Sequence, residues 1–423
     1  LNEFGVPGHE RWLGFFGLRL RLVAAIASAG VLGGALGAAY LWCLETVTEL
    51  IGPGRWSDAG QVVALVVVGA IIWGLVSVLG RPADVELLVD NIHVPGGTSR
   101  TPARLRSLLP ISLLCIGAGG TLGPEAPVVT TTGSVAHRLA HWARLEHDDV
   151  RVVTMAGMAA GFAVLFGAPF GAALFALEIP HRRGMEYYEA VIPAAIGATI
   201  GFAISVVAGG HGLGPIWTLP LVAELTLSDL GYGVVAGAVG AAIAVLFTTL
   251  TRVLTFLARY LGSGWRPVTG GLLLGLLAIV TPYALTNGEW QIASLTGAVT
   301  VGALLTAALG KLVGAAVAVA FGWRGGFIIP LFFVGFCVGR VIADLLPGAT
   351  EWAFVISVMA AANVGVTKTP LGSTLVVTEM SGMTVLPSTL LASLTALILT
   401  TPLGVIGAQR RRVDAYGAGH GAT

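Results

Sequence analysis

Six predominantly apolar stretches, at residues 22–43, 62–79, 152–178, 230–258, 267–285 and 384–408, constrain this chain more than anything else in it. Each is close to the length of about 20 residues that a helix needs to cross the hydrocarbon core of a bilayer, and roughly ten such segments fit between the termini. Only 11% of the 423 residues are charged, against about 25% in soluble proteins. A polytopic helical membrane protein is expected, because helices and closed barrels are the only folds that satisfy every backbone polar group in lipid. Arg11, Arg19 and Arg21 precede the first span, and Arg410, Arg411 and Arg412 follow the last. Excess arginine marks the cytoplasmic side, so both ends are expected inside a bacterial-type plasma membrane, with no need of a signal peptide.

Sixty glycines and several prolines at mid-segment (Pro124, Pro127, Pro169, Pro330, Pro370) predict helices that break at membrane depth. Broken backbone is tolerated there only where it is buried in protein or lines a cavity, which points to transport. Cys43, Cys115 and Cys337 lie in apolar segments without pairing or metal spacing, and read as packing thiols. A net charge of +1 with scattered basic residues gives nucleic acid nothing to bind.

The chain repeats itself. "APFGAALFALE" (168–178) and "TPLGSTLVVTE" (369–379) share Pro169/Pro370, Gly171/Gly372 and Glu178/Glu379 at one displacement, which also superposes "MAA" at 158–160 on "MAA" at 359–361. "GPEAP" (123–127) and "GFIIP" (326–330) are both Gly-x-x-x-Pro, and Arg138 and Arg340 fall between the blocks at nearly the same displacement. Such repeats place a transport site at their interface. The expected division is an N-terminal cytoplasmic segment (1–20), a first membrane repeat (21–208), a second (209–408) and a cytoplasmic tail (409–423). Whether the repeats are parallel or inverted is left open by the sequence.

A helix that starts after Gly-x-x-x-Pro offers unpaired N–H groups and the positive end of its dipole. Two such starts converging near the midplane would hold an anion by partial charge, weakly enough to release it. Residues 326–330 contain no side-chain ligand, so only backbone could act there. Glu125 is the one acid between Arg106 and His137. An acid inside a membrane segment costs at least about 2.5 kcal/mol and is functional by default. It reads as a tethered anion that competes with a permeant one, and protonation would release it.

These residues resemble the CLC family of chloride channels and chloride/proton exchangers. That family has Gly-Arg-Glu-Gly-Pro at Gly123–Pro127 and Gly-Gly-x-Phe-x-Pro at Gly325–Pro330, and often a lysine where Lys311 stands. The resemblance runs from about residue 20 to 410. It implies an all-α membrane fold of two inverted repeats with broken helices, a homodimer in membrane lipid with one pathway per subunit, chloride or a related anion as substrate, no cofactor, no metal and no catalysis. It also implies Glu125 as the gating and proton-accepting residue, and Gly326, Phe327 and Ile328 as the amide site. No cytoplasmic regulatory domains are expected after the last span.

Departures from the family pattern bear on mechanism. The first family motif, Gly-Ser-Gly-Ile-Pro, falls on "NIHVP" (91–95), where Ile92 replaces the serine and His93 lies nearby, able to donate to an anion, although a lone histidine at a loop–helix junction is more often structural. The alternative register, "TSRTP" (98–102), keeps Ser99 but leaves only seven residues before Pro110. Exchangers of the family usually carry a second acid where this chain has Ile179, which favours a channel-like or loosely proton-coupled protein over a tightly coupled antiporter. Tyr416 is the only tyrosine available as an inner gate, and its spacing from Pro387 is about eight residues too long. A reading of another class is an intramembrane lipid-modifying enzyme using Glu125 with His137 and His141; "HRLAHWARLEHDD" (137–149) gathers those histidines with His147, Asp148 and Asp149. A solvated loop is the plainer account of that stretch.

Overall fold

The computed structural model describes residues 9–82, 101–183, 188–209, 217, 219–402 and 410–411. Fifteen helices make up the described chain. The first series is α1 (His9–Ile51), α2 (Asp58–Leu79), α3 (Thr101–Gly117), α4 (Glu125–Trp142), α5 (His147–Phe166), α6 (Pro169–Glu178) and α7 (Val191–Gly209). The second is α8 (Leu227–Ala258), α9 (Trp265–Val280), α10 (Glu289–Ser294), α11 (Val301–Ala320), α12 (Ile328–Ala343), α13 (Glu351–Thr367), α14 (Pro370–Ser381) and α15 (Leu386–Thr400). Apart from the short α10, each helix of the second series has its counterpart in the first. Among the described residues, the strands are His181–Arg183 and Arg410–Arg411, paired in parallel.

Seven of these helices are long and apolar enough to cross a membrane, and four shorter apolar ones lie among them. The apolar run 152–178 is not one span. It breaks at Gly167, which takes the left-handed conformation (φ 63°), and α6 restarts with Pro169 at its first position. The second repeat breaks at the equivalent place, on Lys368 (φ 63°), with Pro370 opening α14. A lysine holds that conformation because its buried ammonium is fixed three ways: Nζ donates to Gly365 O (2.6 Å), Thr400 O (2.6 Å) and Thr400 Oγ1 (2.8 Å).

From Val153 to Phe166 and from Ala353 to Thr367, α5 and α13 are buried on every side, as helices that are mostly apolar all round are. The long outer helices instead turn Trp42, Trp73, Val207, Leu257 and Ile398 outward. One continuous core joins the two series through Phe162, Phe166, Phe175 and Phe332.

The Pro-x-Gly…Glu block explains itself where α6 meets α14. A Cβ on Gly171 would overlap the backbone of Leu375–Val376, and one on Gly372 would overlap the backbone of Phe175, so both glycines are there to let the helices touch. The pair is antiparallel. The Glu178 carboxylate, at the end of α6, accepts the N–H of Leu371 (3.2 Å) and of Gly372 (2.8 Å). The Glu379 carboxylate, at the end of α14, accepts the N–H of Gly171 (3.2 Å). Each repeat thus caps the other's helix start, which needs a two-fold axis across the pair. The repeats are inverted.

Candidate functional site: a carboxylate on the amides that open α12

Both Gly-x-x-x-Pro frames end at one place. Gly123 and Gly326 pair as a two-residue antiparallel bridge, Gly123 N to Gly326 O at 2.7 Å and Gly326 N to Gly123 O at 2.6 Å. Helices α4 and α12 start immediately afterwards, each with proline at its third position (Pro127, Pro330), where a missing N–H costs no intrahelical bond. Glu125 and Ile328 hold the equivalent first positions.

The Glu125 side chain is 1% exposed and crosses to the other repeat. Its Oε1 accepts the N–H of Ile329, at the second position of α12, at 2.6 Å, while Oε2 is buried without a hydrogen-bond partner. A Cβ on either Gly123 or Gly326 would overlap this carboxylate. The frame glycines are therefore the floor on which it lies. Gly326 is where the sequence placed it, yet its N–H is engaged by Gly123, so its part is to make room. Among the described residues, the N–H groups of Phe327 and Ile328 meet no acceptor. The Phe327 ring packs 5.7 Å from that of Phe247.

Unbonded N–H groups at a helix start, with the helix dipole behind them, form an anion site. Here a tethered carboxylate holds one of its donors. Lys311, 0% exposed, stiffens the surroundings: Nζ donates to Leu285 O (2.6 Å), Thr286 O (2.9 Å) and Gln291 Oε1 (2.7 Å), and lies 4.9 Å from the centre of the Phe333 ring on α12. Its head group fixes loop 281–291 against α12. Glu289, at the start of α10, is a further acid, its carboxylate accepting the side-chain N–H of Asn287 at 3.2 Å; nothing in its local sequence context signalled it.

Ile179 caps α6, its N–H bonded to Phe175 O (3.0 Å) and its side chain buried. It brings no acid to the interior. Ile92, His93 and both registers of the first motif through residue 100 lie outside the described residues, as does Tyr416. His137 and His141 lie at the far end of α4 from Glu125, ring to ring with Nε2 atoms 3.1 Å apart, and so do not join it.

Two inverted repeats of broken helices, meeting at backbone amides that hold a buried carboxylate, define a multi-pass membrane protein built to transport anions. The family model described as "Voltage gated chloride channel" matches residues 92–401. The chain belongs to that family, the CLC proteins, whose members are channels or transporters, and the lipid-enzyme alternative falls with that assignment. It is 28% identical over 443 residues to the "Chloride/fluoride channel protein" of Pseudomonas syringae pv. tomato, covering 96% of this chain and 87% of the relative. The fold is similar to that of a slow cyanobacterial Cl-/H+ antiporter (TM-score 0.79, 18% identity, 90% of this chain and 94% of that one). It is also similar to that of a CLC-type fluoride/proton antiporter (TM-score 0.76, 24% identity, 92% and 98%).

Proposed function

We propose that the protein carries halide ions, chloride and fluoride, along a pathway in which Glu125 and the anion take turns at the amides of Phe327, Ile328 and Ile329. The observation that carries this is the 2.6 Å bond from Ile329 N–H to the Glu125 carboxylate, beside two N–H groups that meet no acceptor. Carboxylate and halide need the same donors, so one must leave for the other to enter. A proton on Glu125 removes the charge that holds it there. Each departure then carries a proton, and flux is proton-dependent and at least loosely proton-coupled. Fluoride is included because the Pseudomonas relative is named for both halides.

Tight halide/proton antiport is the second reading, favoured by how completely the carboxylate fills the site; Ile179, apolar where an inner acid would stand, favours looser coupling. We further infer a homodimer in the inner membrane with both termini cytoplasmic. The apolar faces that α7 (Ile192, Ile196) and α15 (Leu394, Ile398) leave exposed suit a second copy. The test is flux from liposomes at clamped voltage, following chloride, fluoride and protons together, for the parent and Glu125→Gln. Changed halide flux with no proton movement in the variant is expected. Unchanged flux of all three ions would remove Glu125 from the mechanism.

A further inference from the structure

The two repeats differ sharply at one buried place. In the first, the break between α5 and α6 is lined by Phe162, Phe166, Ala168 and Ala172, all buried and apolar. At the equivalent positions the second repeat has Asn363, Thr367, Thr369 and Ser373, all 0% exposed. The same framework is built without these polar groups in the first repeat, so the framework does not require them. The difference follows the pattern of the anion frame, where Glu125 has only Ile328 as its counterpart.

The three hydroxyls form a connected file. Thr367 Oγ1 donates to Asn363 O at 2.9 Å. Thr369 Oγ1 lies 2.7 Å from Thr367 Oγ1, and Ser373 Oγ lies 2.8 Å from Thr369 Oγ1. With the Thr367 proton on the Asn363 carbonyl, Thr369 donates to Thr367 and Ser373 to Thr369, so the file is oriented head to tail. Thr369 stands at the N-cap of α14, where a threonine hydroxyl ordinarily accepts its own helix's N–H. Here its side chain caps nothing, because Glu178 takes the N–H of Leu371 and Gly372. Capping by an acid from the other repeat frees the hydroxyl for the file.

The file leads towards the anion site. Asn363 is one turn before Thr367 on the same face of α13. Gly335 and Gly339 of α12 touch Met359 and Val355 of α13, an antiparallel register that puts Asn363 level with Leu331, two residues beyond the amide that holds Glu125. Neither Asn363 Oδ1 nor Nδ2 has a hydrogen-bond partner, and neither does Glu125 Oε2. Buried polar groups without a protein partner are places where water or a transient partner can bind. The charged groups around the file are Glu178, one peptide from Ser373, and Lys368, which is tied to Gly365 and Thr400.

We propose that Ser373, Thr369, Thr367 and Asn363 are the inner leg of the proton route to Glu125, standing in for the acid that Ile179 does not supply. A proton taken up at Ser373 passes one hydroxyl proton to Thr369, and Thr369 passes one to Thr367. Thr367 passes one to a water molecule held by the unpartnered Asn363 amide, Glu125 takes it from there, and rotation of the hydroxyls resets the file. The inference rests on the reading that Glu125 exchanges a proton. Its residues act by relaying, so the test reads the ratio of two fluxes. In the liposome assay, Thr369→Val, which keeps the volume and removes the hydroxyl, should lower halide-driven proton movement at least about tenfold while halide flux stays within about twofold. Thr369→Ser, which restores a hydroxyl, should recover it. Ser373→Ala serves as a second break should the valine variant fold poorly. Proton and halide flux falling together in both breaks, or an unchanged ratio in both, would overturn the relay while leaving Glu125 its role. A parent protein that moves no protons under a halide gradient would overturn the Glu125 reading and the relay with it.

Discussion

Replacing Gly326 by alanine should make halide flux much less sensitive to pH. The new Cβ would occupy the space of Glu125 Oε2 and lie 2.8 Å from the carboxyl carbon. The backbone there is fixed by the two Gly123–Gly326 bonds, so the mobile partner, the carboxylate, must move. Leaving breaks the bond from Ile329 N–H, a hydrogen bond to a charged group worth about 1.5–3 kcal/mol. At about 1.4 kcal/mol per factor of ten, the ionised carboxylate's hold on the site weakens roughly 10- to 150-fold. The parent should carry little halide in alkaline buffer, where the charged Glu125 competes, and more in acid, where protonation releases it. In Gly326→Ala the acid-to-alkaline flux ratio should fall towards one, since the competitor is displaced at either pH. The assay is halide efflux from liposomes across a pH series at clamped voltage, on protein whose elution and thermal unfolding match the parent. A folded variant with as steep a pH dependence as the parent would refute the argument that carboxylate and anion share these amides.

Glu178→Ala should destabilise the protein more than Glu379→Ala. It removes N–H···carboxylate bonds at a buried site, where those of Glu379 lie at a half-buried one that water can reach, at about 1.5–3 kcal/mol per bond; thermal unfolding in detergent reads the difference, and equal losses would deny the capping role. Lys311→Met should lower the unfolding temperature as well, because it strands the buried carbonyl of Leu285 and the half-buried one of Thr286, a buried acceptor costing about 1–3 kcal/mol when left unmade. A variant as stable as the parent would show that the ammonium is not what fixes loop 281–291.

Much of this protein was legible before any coordinate. Apolar length and scarcity of charge dictate a helical membrane protein, because lipid leaves the backbone no other way to satisfy itself. The displaced Pro-x-Gly…Glu and Gly-x-x-x-Pro blocks announce two repeats with broken helices. Glu125 stands out because an acid among apolar residues is expensive. These are signals of composition and spacing, which a linear chain carries in full.

What the chain could not carry is which groups meet across some 200 residues. That the repeats are inverted follows from Glu178 reaching Gly372 while Glu379 reaches Gly171, contacts no spacing rule can foresee. Gly326 looked like an ion-facing amide, yet its N–H is taken by Gly123, and only their pairing shows the two glycines to be a floor for the carboxylate. Asn363, Thr367, Thr369 and Ser373 are polar residues near a helix break, and nothing in the sequence sets them apart. Their meaning is in their burial and in the direction of their hydrogen bonds, both of which exist only once α13, α14 and α6 close around them. Sequence spacing determines local conformation, but a site made of one repeat's acid and the other's amides is a product of tertiary contact alone.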